Sequence, residues 1–453
     1  MQESGTRHRQ QVTRPARGGG HVAVTAVETS ESVLRCEFQA TGRVARYLTG
    51  DPLRVDYGHA VDDVAESLLV APALAQVCPV AWATGASVAV ERIDPEFLVA
   101  LHEVRQALCR LYPSFMQGGP IQYDETDCPG PCDESWSSGR SESHALLFAG
   151  GVDSLASYVR LRALSPTLVY VLPWGVDGET WAQTTARLSS FARQHGRAAV
   201  FVQTNARSIL DTTLLNATFG SALDGDWYRA VGSGLGLLGL CGPLCAVRGI
   251  DRLAIAGTHT RPPDEPWGSH PAVDDEVRWS GTTCRHDGAD RGGQETYERL
   301  AAFARTVDPS VTVWACPNAP AEGWNCSRCE PCARAIVGLV AAGCDPRDHG
   351  FVVTEETFST IRDSLQSGVW ELGPEERVAW HALQTGAEPE VPTAVPGTDG
   401  FFEWLHDADI ETLVARATPS LRTRLCRDIP RRAPYPLYRS LAPVYRRVRD
   451  IVS

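Results

Sequence analysis

The stretch His144–Ser157 reads HALLFAGGVDSLAS and gathers the residue types that a phosphate-binding turn needs. Ala145–Phe148 are apolar enough for a buried parallel strand. Gly150 and Gly151 permit a sharp turn and a close approach of backbone to ligand. Asp153 and Ser154 open a helix, continued by Leu155, Ala156 and Val159, whose free amides point back at the turn. Unpaired N–H groups and the helix dipole both favour an anion there. Far downstream, Cys316, Cys326, Cys329 and Cys332 form C-x9-C-x2-C-x2-C within WACPNAPAEGWNCSRCEPCARA. Four thiolates held so close match a tetrahedral structural zinc site, with two tight C-x2-C turns supplying three ligands. An iron–sulfur cluster is the main rival occupant, and disulfides are a poor third because the other cysteines lie scattered without a framework.

The string AGGVDS resembles the SGGxDS pyrophosphate loop of the PP-loop ATP pyrophosphatases, a superfamily that splits ATP into AMP and pyrophosphate. Ala149 stands where that motif has its first serine. The cysteine set is similar to the C-terminal zinc knuckle of the 7-cyano-7-deazaguanine synthase family, whose members are PP-loop enzymes. The resemblance spans residues 144–345. It implies an α/β fold with a Rossmann-like parallel sheet of the adenine nucleotide alpha hydrolase (HUP) type. It also implies ATP, Mg2+ and Zn2+ as cofactors. Ala149, Gly150, Gly151, Val152, Asp153 and Ser154 would then cradle the β- and γ-phosphates, Ser154 donating its hydroxyl and Asp153 binding the magnesium. The implied reaction is adenylation of a carboxylate or amide oxygen followed by attack of nitrogen. Two alternatives stay open: a thiolation enzyme of the same superfamily, and a non-catalytic nucleotide-binding scaffold, to which Ala149 lends support.

Elements that could position these groups are legible around them. From His144 the pattern alternates: strands at Thr167–Leu172, Ala198–Val202, Arg252–Ala256 and Val311–Trp314, with helices at Glu179–His195, within Asp226–Arg248, and at Gln294–Arg305. Such alternation argues for a parallel sheet wrapped by helices, with ligands beyond the carboxyl ends of the strands. Gly234, Gly236 and Gly239 satisfy G-x-G-x-x-G, but they follow Tyr228-Arg229-Ala230 and not a strand, so close helix packing explains them better than a dinucleotide. After the fourth strand, AGTHTRPPDEPWGSHPAVDDEVRWSGTTCRHDGAD reads as a long loop at the substrate edge. Thr258, His259, Trp267, Ser269, His270, Asp274, Asp275, His286 and Asp287 are its candidates, with His259, His270 and Asp274 chosen as catalytic beside Asp153 and Ser154.

The remainder divides by composition. Residues 1–20 read as a disordered tail, 21–116 as a small α+β domain, and 117–143 as a Gly/Pro/Ser-rich linker holding Cys128 and Cys132. The N-terminal module shows strands at Val22–Val27, Ser32–Phe38 and Val88–Ile93, and a helix over Pro95–Leu111. Residues 346–453 read as helical, ending in a basic stretch that includes Arg422, Arg424, Arg427, Arg431, Arg432, Arg446, Arg447 and Arg449. That stretch is expected to lie as an amphipathic helix on the protein's own body. The chain of 453 residues carries a net charge of −13, which disfavours nonspecific nucleic-acid binding. All 42 basic residues are arginine, so any cationic clamp on pyrophosphate is an always-charged guanidinium. Gln2 follows Met1 and the nearest cysteine is Cys36, so ammonia is expected from solution, or the nucleophile is an amine. The expected partner is a small-molecule carboxylate or peptide substrate, in a cytoplasmic protein without a membrane span; a homo-oligomer stays open.

Overall fold

A computed structural model of the chain describes residues 18–126, 142–173, 178–223, 226–257, 266–288, 293–316, 323–370, 372–388, 394–416, 435 and 438–440. Residues 1–17 of the polar tail, Cys128, Cys132 and the arginines named in the basic stretch lie outside the described residues, whereas Gly19 and Gly20, read as part of the tail, accept from the Val44 and Ser87 amides, both at 3.1 Å.

The N-terminal part opens on β1 (His21–Ser30), β2 (Val33–Thr41) and β3 (Leu53–Asp56), paired antiparallel in succession. Helices α1 (Glu66–Leu69) and α2 (Ala71–Thr84) lead to β4 (Ser87–Ile93), α3 (Pro95–Leu111) and β5 (Ile121–Thr126). Every residue of α2 is buried, and Gly85 in the left-handed region (φ 71°) ends it. The helix α3 starts at Pro95 because the Asp94 carboxylate accepts from the Phe97 amide at 2.8 Å. Its apolar stripe Phe97, Leu98, Leu101, Val104 and Leu108 is buried, as the helical spacing requires. The strand β5 pairs parallel to β4 inside the stretch that reads as a linker.

The second part alternates strand and helix: β6 (His144–Leu147), α4 (Val152–Leu161), β7 (Thr167–Pro173), α5 (Gly178–Gln194), β8 (Ala199–Thr204), α6 (Thr212–Phe219), α7 (Ser233–Leu240), α8 (Gly242–Arg248) and β9 (Arg252–Ala256). Then come α9 (Pro271–Asp274), β10 (Arg278–Trp279), β11 (Thr282–Asp287) and α10 (Gly293–Thr306). Five further helices follow: α11 (Glu330–Ala341), α12 (Thr357–Ser367), α13 (Pro374–Gly386), α14 (Phe401–Asp407) and α15 (Ile410–Arg416).

All the strands join one mostly parallel 11-stranded sheet, in the order β10-β11-β9-β6-β7-β8-β3-β2-β1-β4-β5. The two parts meet where β3 pairs antiparallel with β8, Val55 opposite Thr204. Alternation along the strands separates two cores. Ala145 and Val169 face a cluster built from the N-terminal elements with Leu235, Leu238 and Trp279. Leu146 and Leu168 face a second cluster containing Leu155, Leu300, Ile336, Phe358 and Trp380.

Two expectations need correction. The segment Val311–Trp314 is extended but joins no strand: its amides go to the His349 carbonyl (from Val313, 3.1 Å) and the Gly150 carbonyl (from Trp314, 3.2 Å). The fifth parallel strand of this part is β11, which pairs with β9 inside the stretch that reads as one long loop. The glycines of α7 do serve packing. A Cβ on Gly239 would lie 2.3 Å from the Ala75 Cβ of α2, and one on Gly236 would lie 3.3 Å from the Gln76 amide. Gly239→Ala is therefore expected to destabilise the fold by about 1–3 kcal/mol, the usual scale for overpacking, read as a lower urea midpoint. The run Tyr228–Arg248 is long and apolar enough to cross a bilayer, yet 72% of its most apolar window is buried inside the protein.

Candidate active site and metal centre

The chain runs from β6 through β7 to β8 on one side, then returns to place β9 on the other side of β6. The order of strands therefore reverses between β6 and β9. In an open parallel sheet such a reversal leaves a crevice at the carboxyl ends, where ligands bind. The glycine turn sits at this point. Gly150 takes φ 76°, a conformation that a side chain disfavours. Gly151 is extended and caps α4, so the free amides at the start of this ten-residue helix face the turn. Ala149 is exposed at the tip. Asp153 lies in the first turn of α4, partly exposed. Ser154 is 7% exposed and its hydroxyl donates to the Gly151 carbonyl at 3.1 Å, closing the turn on itself.

The four cysteines converge as their spacing predicts. Their sulfurs all lie within 4.8 Å of one another, with Cys329–Cys332 at 3.4 Å, Cys316–Cys329 at 3.8 Å and Cys326–Cys332 at 3.9 Å. A tetrahedron with metal–sulfur bonds of about 2.3 Å has edges of about 3.8 Å, so the set fits one zinc ion with all four positions filled by protein. Cys329 caps α11 and Cys332 sits in its first turn. Bonds from the neighbouring thiols, Cys332 first, pull the Cys329 thiol down to about 5. Ser327 adopts φ 59° in the first C-x2-C turn.

Buried Asn325 holds this centre together. Its side-chain oxygen accepts from the Ala315 and Cys316 amides at 2.9 and 3.1 Å. Its amide nitrogen donates to the Val313 and Gly350 carbonyls at 2.8 and 3.0 Å. Residues 313–316 then run straight to the glycine turn. Trp314 donates its backbone N–H to Gly150, and its indole N–H to the Cys316 carbonyl at 2.9 Å. The Trp314 ring also lies 3.5 Å from where a Gly150 Cβ would be. Arg187 of α5 stacks over Trp314 and Trp324, 5.7 and 5.2 Å from the ring centroids. A small cleft beside the turn is lined by Gly150, Leu188, Arg187 and Trp314. Sequence spacing gives no sign of this bridge between the metal centre and the turn, because it runs through backbone groups and one asparagine.

The long segment after β9 supplies a third group. His259 and Thr258 lie outside the described residues. His270 is 8% exposed and its Nδ1 accepts from the Ala272 amide at 3.0 Å, capping α9. Asp274 is fully buried, and its Oδ2 receives the Ser269 hydroxyl at 2.7 Å and His286 Nδ1 at 2.8 Å. Burial pushes the Asp274 carboxyl up from the ordinary range, against the pull of His286 and Ser269. Asp275 accepts the His286 backbone amide at 2.7 Å. Asp287 pairs with Arg160 of α4, whose Nε reaches it at 2.9 Å. The chain matches no family model, no curated protein and no solved structure.

Proposed function

We propose that the chain is an AMP- and pyrophosphate-forming ligase with a Rossmann-like nucleotide domain of the HUP type, similar to 7-cyano-7-deazaguanine synthases. The observation that carries this reading is the strand–glycine turn–helix unit at the reversal point of the sheet, with its amides aimed over the carboxyl ends. Those amides would hold the β- and γ-phosphates of ATP, as fixed donors suit a charge that moves during reaction. Ser154 would turn its hydroxyl from the Gly151 carbonyl to phosphate. Asp153 offers the hard carboxylate oxygen that magnesium prefers; the ion would neutralise the phosphate charge. A substrate carboxylate oxygen attacks the α-phosphorus, the bond to pyrophosphate breaks, and pyrophosphate leaves with the electron pair. Nitrogen then attacks the activated carbon and AMP departs. The four-cysteine centre is closed by its own sulfurs, which favours a structural zinc over an iron–sulfur cluster with an open iron.

The test is product analysis of the purified protein with ATP, magnesium and ammonium across a panel of carboxylic acids that includes 7-carboxy-7-deazaguanine. AMP and pyrophosphate that appear with one acid alone support the ligase. AMP formed only with a sulfur donor present points to thiolation. ATP binding without AMP from any acid defeats the proposal and leaves a scaffold.

Ala149→Ser should strengthen this site. Position 149 is exposed, so a hydroxyl enters without displacing packed atoms. A hydrogen bond to a charged phosphate contributes about 1.5–3 kcal/mol. The expected result is tighter ATP·Mg binding by roughly tenfold or more, measured by titration calorimetry.

A further inference from the structure

The Asp274–His286 pair is buried with two polar atoms left over. Asp274 Oδ1 has no hydrogen-bond partner among the described residues and presses on α7, where a Gly234 Cβ would lie 2.0 Å away. His286 Nε2 makes no hydrogen bond among the described residues; it packs over Gly257, the residue that follows β9, and a Cβ there would lie 2.0 Å from it. With Asp274 as the carboxylate, its Oδ2 accepts from the Ser269 hydroxyl and from His286 Nδ1–H, the tautomer that leaves a lone pair on Nε2. That lone pair sits at the carboxyl ends of β9 and β11, the edge that holds the glycine turn.

Its distance from the turn is set by the sheet. His286 pairs with Ile255, and Ile255 with Leu147, three residues before Gly150. Two strand spacings of about 4.8 Å put β11 about 10 Å from β6, within the span of an adenylated substrate whose phosphates rest on the turn. The next residue, Asp287, is tied to Arg160 on the helix that the turn begins, which fixes the tip of β11 against α4. A histidine oriented by a buried carboxylate, with a nitrogen unpartnered among the described residues over a glycine at the ligand edge, has the parts of a general base.

We propose that His286 Nε2 accepts the proton of the nitrogen nucleophile as it attacks the adenylated carboxylate, with Asp274 and Ser269 as positioning residues. The proposal rests on the ligase reading above. The new C–N bond forms from the nitrogen lone pair, the carbon–oxygen bond to AMP breaks, and AMP leaves with that pair. The proton released by nitrogen passes to His286, and Asp274 stabilises the imidazolium.

The discriminating experiment compares two nucleophiles, ammonium and hydroxylamine, with 7-carboxy-7-deazaguanine or whichever acid of the panel releases AMP. Hydroxylamine is the stronger nucleophile towards acyl adenylates and needs less help from a base. His286→Gln should lower the ratio of amide to hydroxamate by roughly a hundredfold, the scale of general-base assistance. Asp274→Asn should lower it in the same direction by less. An unchanged ratio, even with both rates reduced, assigns the pair a structural role and overturns the inference while the ligase stands. No AMP from the wild-type protein with any acid overturns the ligase and this inference together. If His286→Gln does not fold, Gly257→Ala, whose methyl would press on Nε2 and displace it, carries the same expectation.

Discussion

Cys329→Ser and Cys332→Ser should each weaken zinc binding at the four-cysteine centre and destabilise the C-terminal helical core around it. Apparent binding free energies of structural zinc in small domains reach about 10–16 kcal/mol, against net stabilities of about 5–15 kcal/mol for whole domains. A site with three ligands retains part of that, so a loss of several kcal/mol is the expectation. The geometry says where the damage goes. Cys332 is fully buried in the cluster that also holds Leu300, Ile336, Phe358 and Trp380, so an uncompensated hydroxyl there disturbs the packing of α10 to α13. Glu330 adds a second tie, accepting the Trp380 indole N–H at 2.8 Å across to α13. The bridge from Cys316 through Trp314 to Gly150 extends the effect to the turn. Metal analysis should find about one zinc per wild-type chain and no visible charge-transfer band. A strong chelator should then shift tryptophan fluorescence, since Trp314 and Trp324 flank the centre, and raise hydrogen exchange at residues 148–154. Metal-free wild-type protein with the same melting curve as the loaded form would contradict this account.

How much of this could be read beforehand differs between local and long-range features. The turn at Gly150 and the four cysteines are local: adjacent glycines and C-x2-C spacing fix backbone and ligand geometry over a few residues. The helix at Pro95–Leu111 was equally legible, since Asp94 and Pro95 mark its start and its apolar stripe repeats at helical spacing. The strand β11 carried its signal too, with Thr282, Cys284 and His286 buried in alternation, but it was hidden within a segment rich in Pro, Gly and charge. Val311–Trp314 misled in the opposite direction. It is apolar and extended, yet its amides serve His349 and Gly150, and periodicity carries no information about which carbonyl an amide will meet. α2 went unread because burial on all sides removes any amphipathic pattern. The pairing of Asp274 with His286 needed β11, and so it was visible as residue types without an arrangement. His270, expected to be catalytic, also caps α9 through its ring Nδ1, a local contact that residue type alone does not announce. The bridge across β3 and β8 involves partners far apart in sequence, and nothing local announces it.

The turn itself predicts the sharpest separation of activity from stability. Asp153→Asn keeps the shape of the side chain and removes its charge. Asp153 lies partly exposed in the first turn of α4, where the fold loses a favourable charge–dipole contact of about 0.3–1 kcal/mol, and the melting temperature should move far less than turnover. Phosphate chemistry should suffer far more, because the carboxylate is the hard oxygen ligand proposed for magnesium. Deleting one preorganised charge-stabilising group costs roughly a hundred- to a thousandfold in turnover, and AMP release should fall by that order. Gly150→Val fails for a different reason. At φ 76° a side chain costs about 1–2 kcal/mol in backbone strain alone. Its Cβ also meets the Leu188 side chain at 3.3 Å and the Trp314 ring at 3.5 Å, and a branched residue worsens both contacts. Gly150→Val should therefore lose stability and ATP binding together, while Asp153→Asn loses turnover with stability intact. AMP release by Asp153→Asn at the wild-type rate would remove the turn from the chemistry altogether, because a phosphate cradle that ignores the charge beside it is not where the phosphates sit.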